Sequence, residues 1–152
     1  MIFIIKSCCV TGHRKFDKSK IKDIERNLRR EIIAAILDDY RAFISGFEEG
    51  VDLLFAKLVR EYRDSHDIYL GAALAYPKKH ASKEYEFLLS KCNGIKEFSP
   101  KHTRFCYSLR NQYMINECDR VIAVYDGRET GGTVDMIRYA QSKGREIRMI
   151  NI

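Results

Sequence analysis

At 152 residues, 45% hydrophobic and 32% charged, the chain is long enough to bury a core and short enough to be one domain spanning 1–152. A formal charge of +6 with pI near 9.1 suits an anionic ligand. The basic residues are nevertheless spread out, in clusters as short as 26–30 and 78–80, which ranks nucleic acid second among expected partners.

No run approaches membrane-spanning length, and the opening MIFII is cut by Lys6 before it reaches the length of a signal segment. The five cysteines, Cys8, Cys9, Cys92, Cys106 and Cys118, form no CxxC pair, and the histidines show no metal spacing. A disulfide scaffold and a structural metal are excluded as readings. The expectation is a cytoplasmic protein with free thiols and no membrane partner.

In chain order, 2–10 is almost wholly apolar and predicts a central strand, ended by Thr11-Gly12-His13-Arg14. Asp17 or Ser19 can cap a long helix in which Ile21, Ile24, Leu28, Ile32 and Ile36 share a face. A short strand over 42–45 breaks at Gly46, and Val51, Leu54, Phe55, Leu58, Val59 and Tyr62 line a second helix. A third strand, 68–76, stops at Pro77; Ser82 caps a helix to about Lys91; a brief strand covers 95–98. A fourth helix over 108–117 leads to the strand 121–125 and a polar turn over 126–132. Beyond Thr133 the period is helical through Val134, Ile137 and Ala140, Gly144 caps the helix, and 146–152 is the last strand.

Strands alternating with helices at this spacing predict a parallel, doubly wound sheet, because each parallel connection needs a crossover. Ligands then sit at the carboxyl ends of the strands, near the switch point. The polar and glycine residues do cluster in the turns that follow strands, whereas the opposite turns, at 38–40 and 64–66, read as plain solvated connections.

The candidate site residues follow from that edge. Gly131, Gly132 and Thr133 open a helix after a buried strand, a setting for phosphate on free amides or for a tight turn alone. Tyr125, Asp126 and Gly127 lead into the same turn. Gly12 permits a close approach, Arg14 suits a bidentate phosphate contact, and His13 can donate to the same group. Ser45 and Gly46, with Gly50 and Asp52 nearby, offer a hydroxyl, amides and a carboxylate for a ribose, although Asp52 reads equally as a first-turn acid on a helix dipole. Arg110 and Asn111 can reach a base, sugar or phosphate. Cys8 and Cys9 read as small core residues. No catalytic triad or paired-carboxylate constellation stands out.

Taken together, Cys8 to Arg14, Ile44-Ser45-Gly46 with Gly50-Val51-Asp52, Arg110 to Met114, and Val124 to Gly127 with Gly131-Gly132-Thr133 resemble the YpsA-like family. That family belongs to the SLOG superfamily, which also holds the DNA-processing protein A fold and the LOG hydrolases. The resemblance spans essentially the whole chain. It implies a Rossmann-like three-layer α/β/α sandwich with a mostly parallel sheet of five to six strands. It also implies a nucleotide or nucleotide-derived ligand held by the Ser-Gly and Gly-Gly-Thr loops, with no other cofactor, and a homo-oligomer. LOG hydrolases carry PGGxGTxxE, whose glutamate takes part in cleaving an N-glycosidic bond. Here Met136 stands at that position, Asp135 one residue early, and no proline precedes the glycines. The resemblance therefore implies binding rather than turnover. A nucleotide N-glycosidase using Asp52, Asp126, Glu129 or Asp135 is the enzyme alternative, and single-stranded DNA binding the third.

Overall fold

The computed structural model describes residues 4–152, in which six strands alternate with five helices. These are β1 (Lys6–Thr11), α1 (Ile21–Leu37), β2 (Tyr40–Ser45), α2 (Val51–Arg63), β3 (Tyr69–Leu74), α3 (Lys83–Ser90), β4 (Gly94–Glu97), α4 (Cys106–Glu117), β5 (Arg120–Tyr125), α5 (Gly132–Ser142) and β6 (Glu146–Asn151). The sheet order is β4-β3-β2-β1-β5-β6, and every pairing is parallel. The chain builds outward from β1 to β4, then returns to lay β5 along the free side of β1. Winding therefore reverses between β1 and β5.

Period-two alternation sends each strand's side chains into two layers. Cys8, Val10, Phe43, Leu70, Ile122 and Val124 pack with Ile24, Leu28 and Ile32 of α1 and Phe55 and Leu58 of α2. Cys9, Ala73 and Val121 pack on the other face with Met114 and Ile115 of α4 and Met136 and Ala140 of α5. Both faces are covered, which is why the central strands read as unbroken apolar runs. Each large side chain so buried contributes about 1.5–3 kcal/mol. Cys8 and Cys9 are fully buried core residues, and burial pushes the Cys8 thiol pKa well up.

Several boundaries move for identifiable reasons. β1 begins at Lys6 because its register with β2 begins there, opposite Tyr40. Ile4 and Ile5 lie outside the strand and are exposed, and 1–3 are outside the described residues. Asp17 caps a short 3-10 turn, Lys18–Lys20, by accepting from the Ser19 amide, and α1 follows. Ser82 caps α3 through the Tyr85 amide at 3.2 Å, and Gly144 takes the left-handed conformation, φ +67°. Among the described residues no helix is long and apolar enough to cross a membrane.

The turn at Asp38 is more than a solvated connection. Its carboxylate holds Nη2 of the buried Arg120 at 2.7 Å, and that guanidinium lies over the Tyr40 ring at 4.5 Å.

Candidate functional site

Where winding reverses, the loops after β1 and β5 diverge to opposite faces and leave a crevice at the strands' carboxyl ends. That crevice is a cleft of about 510 Å³. The turn after β1 (12–15), Glu48 and Asp52, one side of α4, and the start of α5 line it.

The α5 wall is an uncapped helix N-terminus. Gly131 is the cap residue at φ +123°, a conformation that excludes most side chains, and no side chain bonds the first-turn amides. Val51 N, opening α2, donates to the His13 carbonyl at 3.3 Å, and Ser82 caps α3, whereas α1 and α4 share with α5 the lack of a side-chain cap. A Cβ built on Gly132 would meet nothing within 4 Å. The protein's own packing therefore does not demand glycine there. Free amides at the positive end of a helix, with open space before them, form an anion-binding arrangement.

The other wall is a network of charges. Arg14, with its side chain 54% exposed, lies over the Tyr107 ring at 5.0 Å. Arg110 is buried and braces the loops beneath: Nη1 donates to the carbonyls of Gly46 at 2.7 Å and Ala73 at 3.3 Å, and Nε donates to Asn111 Oδ1 at 2.7 Å. Asp52 Oδ2 accepts from the Glu48 amide at 3.3 Å. Burial, aided by the neighbouring Glu48 charge and opposed by Arg110, raises the Asp52 pKa from 3.8 to about 7.

This shift has a sign that can be tested. Between 3.8 and about 7 the folded chain holds the Asp52 proton that the unfolded chain has released. Stability from this group is thus full below the ordinary carboxylate value and is lost as pH rises through about 7. Asp52→Asn is expected to flatten that slope and to add on the order of 2 kcal/mol above neutrality. Chemical denaturation from pH 5 to 8 measures it; parallel parent and variant profiles would show that Asp52 is ionised throughout.

The family model for YpsA, described as the YspA SLOG family, matches residues 8–152. The chain belongs to the YpsA family. This YpsA-family chain is 26% identical over 156 residues to a UPF0398 protein of Bacillus thuringiensis (strain Al Hakam), covering 92% of this chain and 85% of that one. A UPF0398 protein of Bacillus cereus (strain Q1) shows the same figures: 26%, 92% and 85%. Among solved structures it is similar to the structural-genomics target TM1055, with TM-score 0.61 and 21% identity, covering 94% of this chain and 72% of that one. It is also similar to DNA processing protein A from Helicobacter pylori, solved for its single-stranded DNA binding mode. There the TM-score is 0.66 and the identity 16%, over 95% of this chain and 64% of that one. At these identities the two structures share the Rossmann-like fold.

The fold distributes the candidate residues of the YpsA-family chain unevenly. Gly12, His13, Arg14, Asp52, Arg110, Asn111, Gly131, Gly132 and Thr133 line the cleft. Ser45 does not: it is fully buried beneath it, its hydroxyl donating to the Asp52 carbonyl at 2.9 Å and accepting from the Phe47 amide. Gly46 and Gly50 are packing positions behind the wall. A Cβ on Gly46 would strike Arg110 Nη1 at 2.8 Å, and one on Gly50 the carbonyls of His13 and Arg14 at 2.6 Å. Gly12 lines the cleft but is also required by packing, since its Cβ would meet Val51 at 2.5 Å.

Tyr125, Asp126 and Gly127 lie outside the lining. The Tyr125 hydroxyl donates to the Arg128 carbonyl, and Arg128 holds Asp126, whose pKa falls to about 2. His13 is a bracket between the loops: its Nε2 accepts from the Asp126 amide at 3.1 Å, and burial lowers its pKa. Of the four carboxylates considered as catalytic acids, Asp52 lines the cleft and Asp126, Glu129 and Asp135 do not.

Sequence reasoning missed Glu48 and Tyr107, both in the lining. Glu48 sits in an acidic pair with Glu49 in a loop, which reads as solvated, so only tertiary packing distinguishes the two. Tyr107 carried no signal beyond its closeness to Arg110.

Proposed function

We propose that this protein binds a nucleotide or nucleotide-derived ligand in the β1/β5 cleft, with a phosphate on the free amides of Gly131-Gly132-Thr133 and on Arg14. The observation that carries the reading is the open helix N-terminus at Gly132, which faces a cleft whose opposite wall carries a half-exposed arginine. Turnover is not part of the proposal. Met136, standing where LOG hydrolases carry their glutamate, lines the cleft with a thioether, which cannot move a proton. Calorimetric titration of AMP and GMP against their nucleosides is the test. Binding is expected to require the phosphate; nucleosides binding equally well would overturn the reading, and free base in the mixture would favour the N-glycosidase alternative.

A second reading has one specific observation behind it. The loops after β1, β3 and β4 carry Arg14, Lys15, Lys78, Lys79, Lys101 and Arg104, and Arg14 lies over Tyr107, which groups with Tyr76 and His102 at ring-centroid distances of 5.4–6.0 Å. Phe105 is 61% exposed, with the Arg104 guanidinium over its ring. Cations interleaved with aromatics suit single-stranded nucleic acid, which is what the Helicobacter pylori structure describes for its own protein. If this rim binds oligo(dT), log affinity falls against log salt with a slope of about −0.7 per phosphate neutralised. No binding at low salt would remove the reading.

A further inference from the structure

We propose that Glu48 is a resident carboxylate that competes with the ligand for Arg14 in the cleft, and that the Arg14 drawn away from it favours a dianionic phosphomonoester over a phosphodiester. This rests on the nucleotide reading and adds to it the chemical class of the group bound.

Glu48 is 7% exposed, and three cations converge on its carboxylate. Lys78 Nζ is 2.8 Å from Oε2, Arg14 Nη2 is 3.4 Å from the same oxygen, and Arg110 Nη1 is 3.5 Å from Oε1. The loop is bent to place it there. Phe47, just before it, is a non-glycine residue at φ +56°, anchored by a fully buried ring edge-on to Tyr85 at 5.7 Å. Its neighbour Glu49 is exposed and makes no such contacts.

The three cations are not equivalent. Lys78 makes the short bond to Glu48, and Arg110 is immobilised by two backbone carbonyls. Arg14 has the long contact, a half-exposed side chain and a resting place on Tyr107 in the cleft wall. Glu48 keeps two cations without it. Arg14 is therefore the cation an entering anion can take.

Taking it means breaking a contact whose strength does not depend on the ligand. The attraction that offsets this grows with ligand charge: a phosphomonoester carries about −1.5 to −2 at neutral pH, a diester −1. The cost of releasing Arg14 from Glu48 is the same for either ligand, so Glu48 lowers the affinity for both, and the preference for the dianion comes from its stronger attraction to the released Arg14.

The test is calorimetric titration of AMP and of its 5′-phosphate methyl ester into the parent, Glu48→Gln and Glu48→Asp, with thermal melting as the folding control. The parent should bind AMP at least about tenfold tighter than the methyl ester. Glu48→Gln should bind AMP about tenfold tighter than the parent, because a repelling charge and a competitor are both removed. Glu48→Asp keeps the charge for Lys78 but withdraws it by one methylene, so a gain of about threefold is expected; this variant decides the matter if Glu48→Gln does not fold. Folded variants that bind AMP no tighter than the parent, or a methyl ester that binds the parent as well as AMP does, would overturn the inference. Loss of AMP binding in Gly132→Val together with an unchanged Glu48 variant would leave the nucleotide reading standing and remove this one. Absence of AMP binding in every protein would remove both.

Discussion

Gly132→Val is expected to lose most of the affinity for AMP, at least about tenfold, while melting near the parent temperature. The two halves of that result have separate causes. A Cβ on Gly132 meets no protein atom within 4 Å, and valine is a better helix former than glycine, so the fold is expected to accept the substitution. Because Gly132 lines the cleft at the first position of α5, bulk added there is expected to crowd an anion on the free amides. Gly131 would not serve as the probe, because at φ +123° any side chain strains the backbone and lost folding would imitate lost binding. Thr133→Ala should cost only a few-fold, since one neutral hydroxyl contact is worth roughly 1 kcal/mol. Arg14→Ala should cost more, since it deletes a charge-assisted contact. Calorimetry on the three variants beside melting curves reads the order. A Gly132→Val protein that binds AMP like the parent would make the glycine pair a turn and nothing more.

The largest loss of stability is expected from Arg110→Met. This buried guanidinium ties α4 to the ends of β2 and β3 through the carbonyls of Gly46 and Ala73, and it faces Glu48 at 3.5 Å. Methionine fills much of the volume but leaves two carbonyls without a donor and two buried carboxyl groups, Glu48 and Asp52, short of a cation. Removing one partner from a buried charged network typically costs about 3–5 kcal/mol, or roughly 10 °C in melting temperature for a chain of this size. Arg110→Lys should recover part of that loss, restoring charge without the planar fork. A melting temperature within about 2 °C of the parent for Arg110→Met would show that the brace is dispensable. Its destabilisation would also mark Arg110 as a support of the cleft, so reduced ligand binding in that variant would not identify it as a ligand contact.

What could be read from the amino acids was whatever depends on neighbours in sequence. The apolar run through Cys8, Cys9 and Val10, the 3.6-residue recurrence of Ile24, Leu28 and Ile32, the Ser82 cap and the left-handed Gly144 are local, and each is found in the structure, although the first strand begins at Lys6 and not at residue 2. Alternation of the two periods was enough to require a parallel sheet, and hence to direct attention to the turns after the strands.

Which of those turns meet was decided by the tertiary structure. The return of β5 to the side of β1 brings 12–15 against 131–133, and the same packing turns Ser45 and Gly46 into supports beneath the cleft. It also separates Glu48 from Glu49, adjacent acids in one loop, by burying the first among three cations and leaving the second in water. Burial and charge pairing depend on contacts between residues 30 to 60 or more positions apart in the chain, such as Glu48 with Lys78 and Arg110 with Gly46. Local periodicity carries no record of those contacts, because the energies that select them arise only when the layers close.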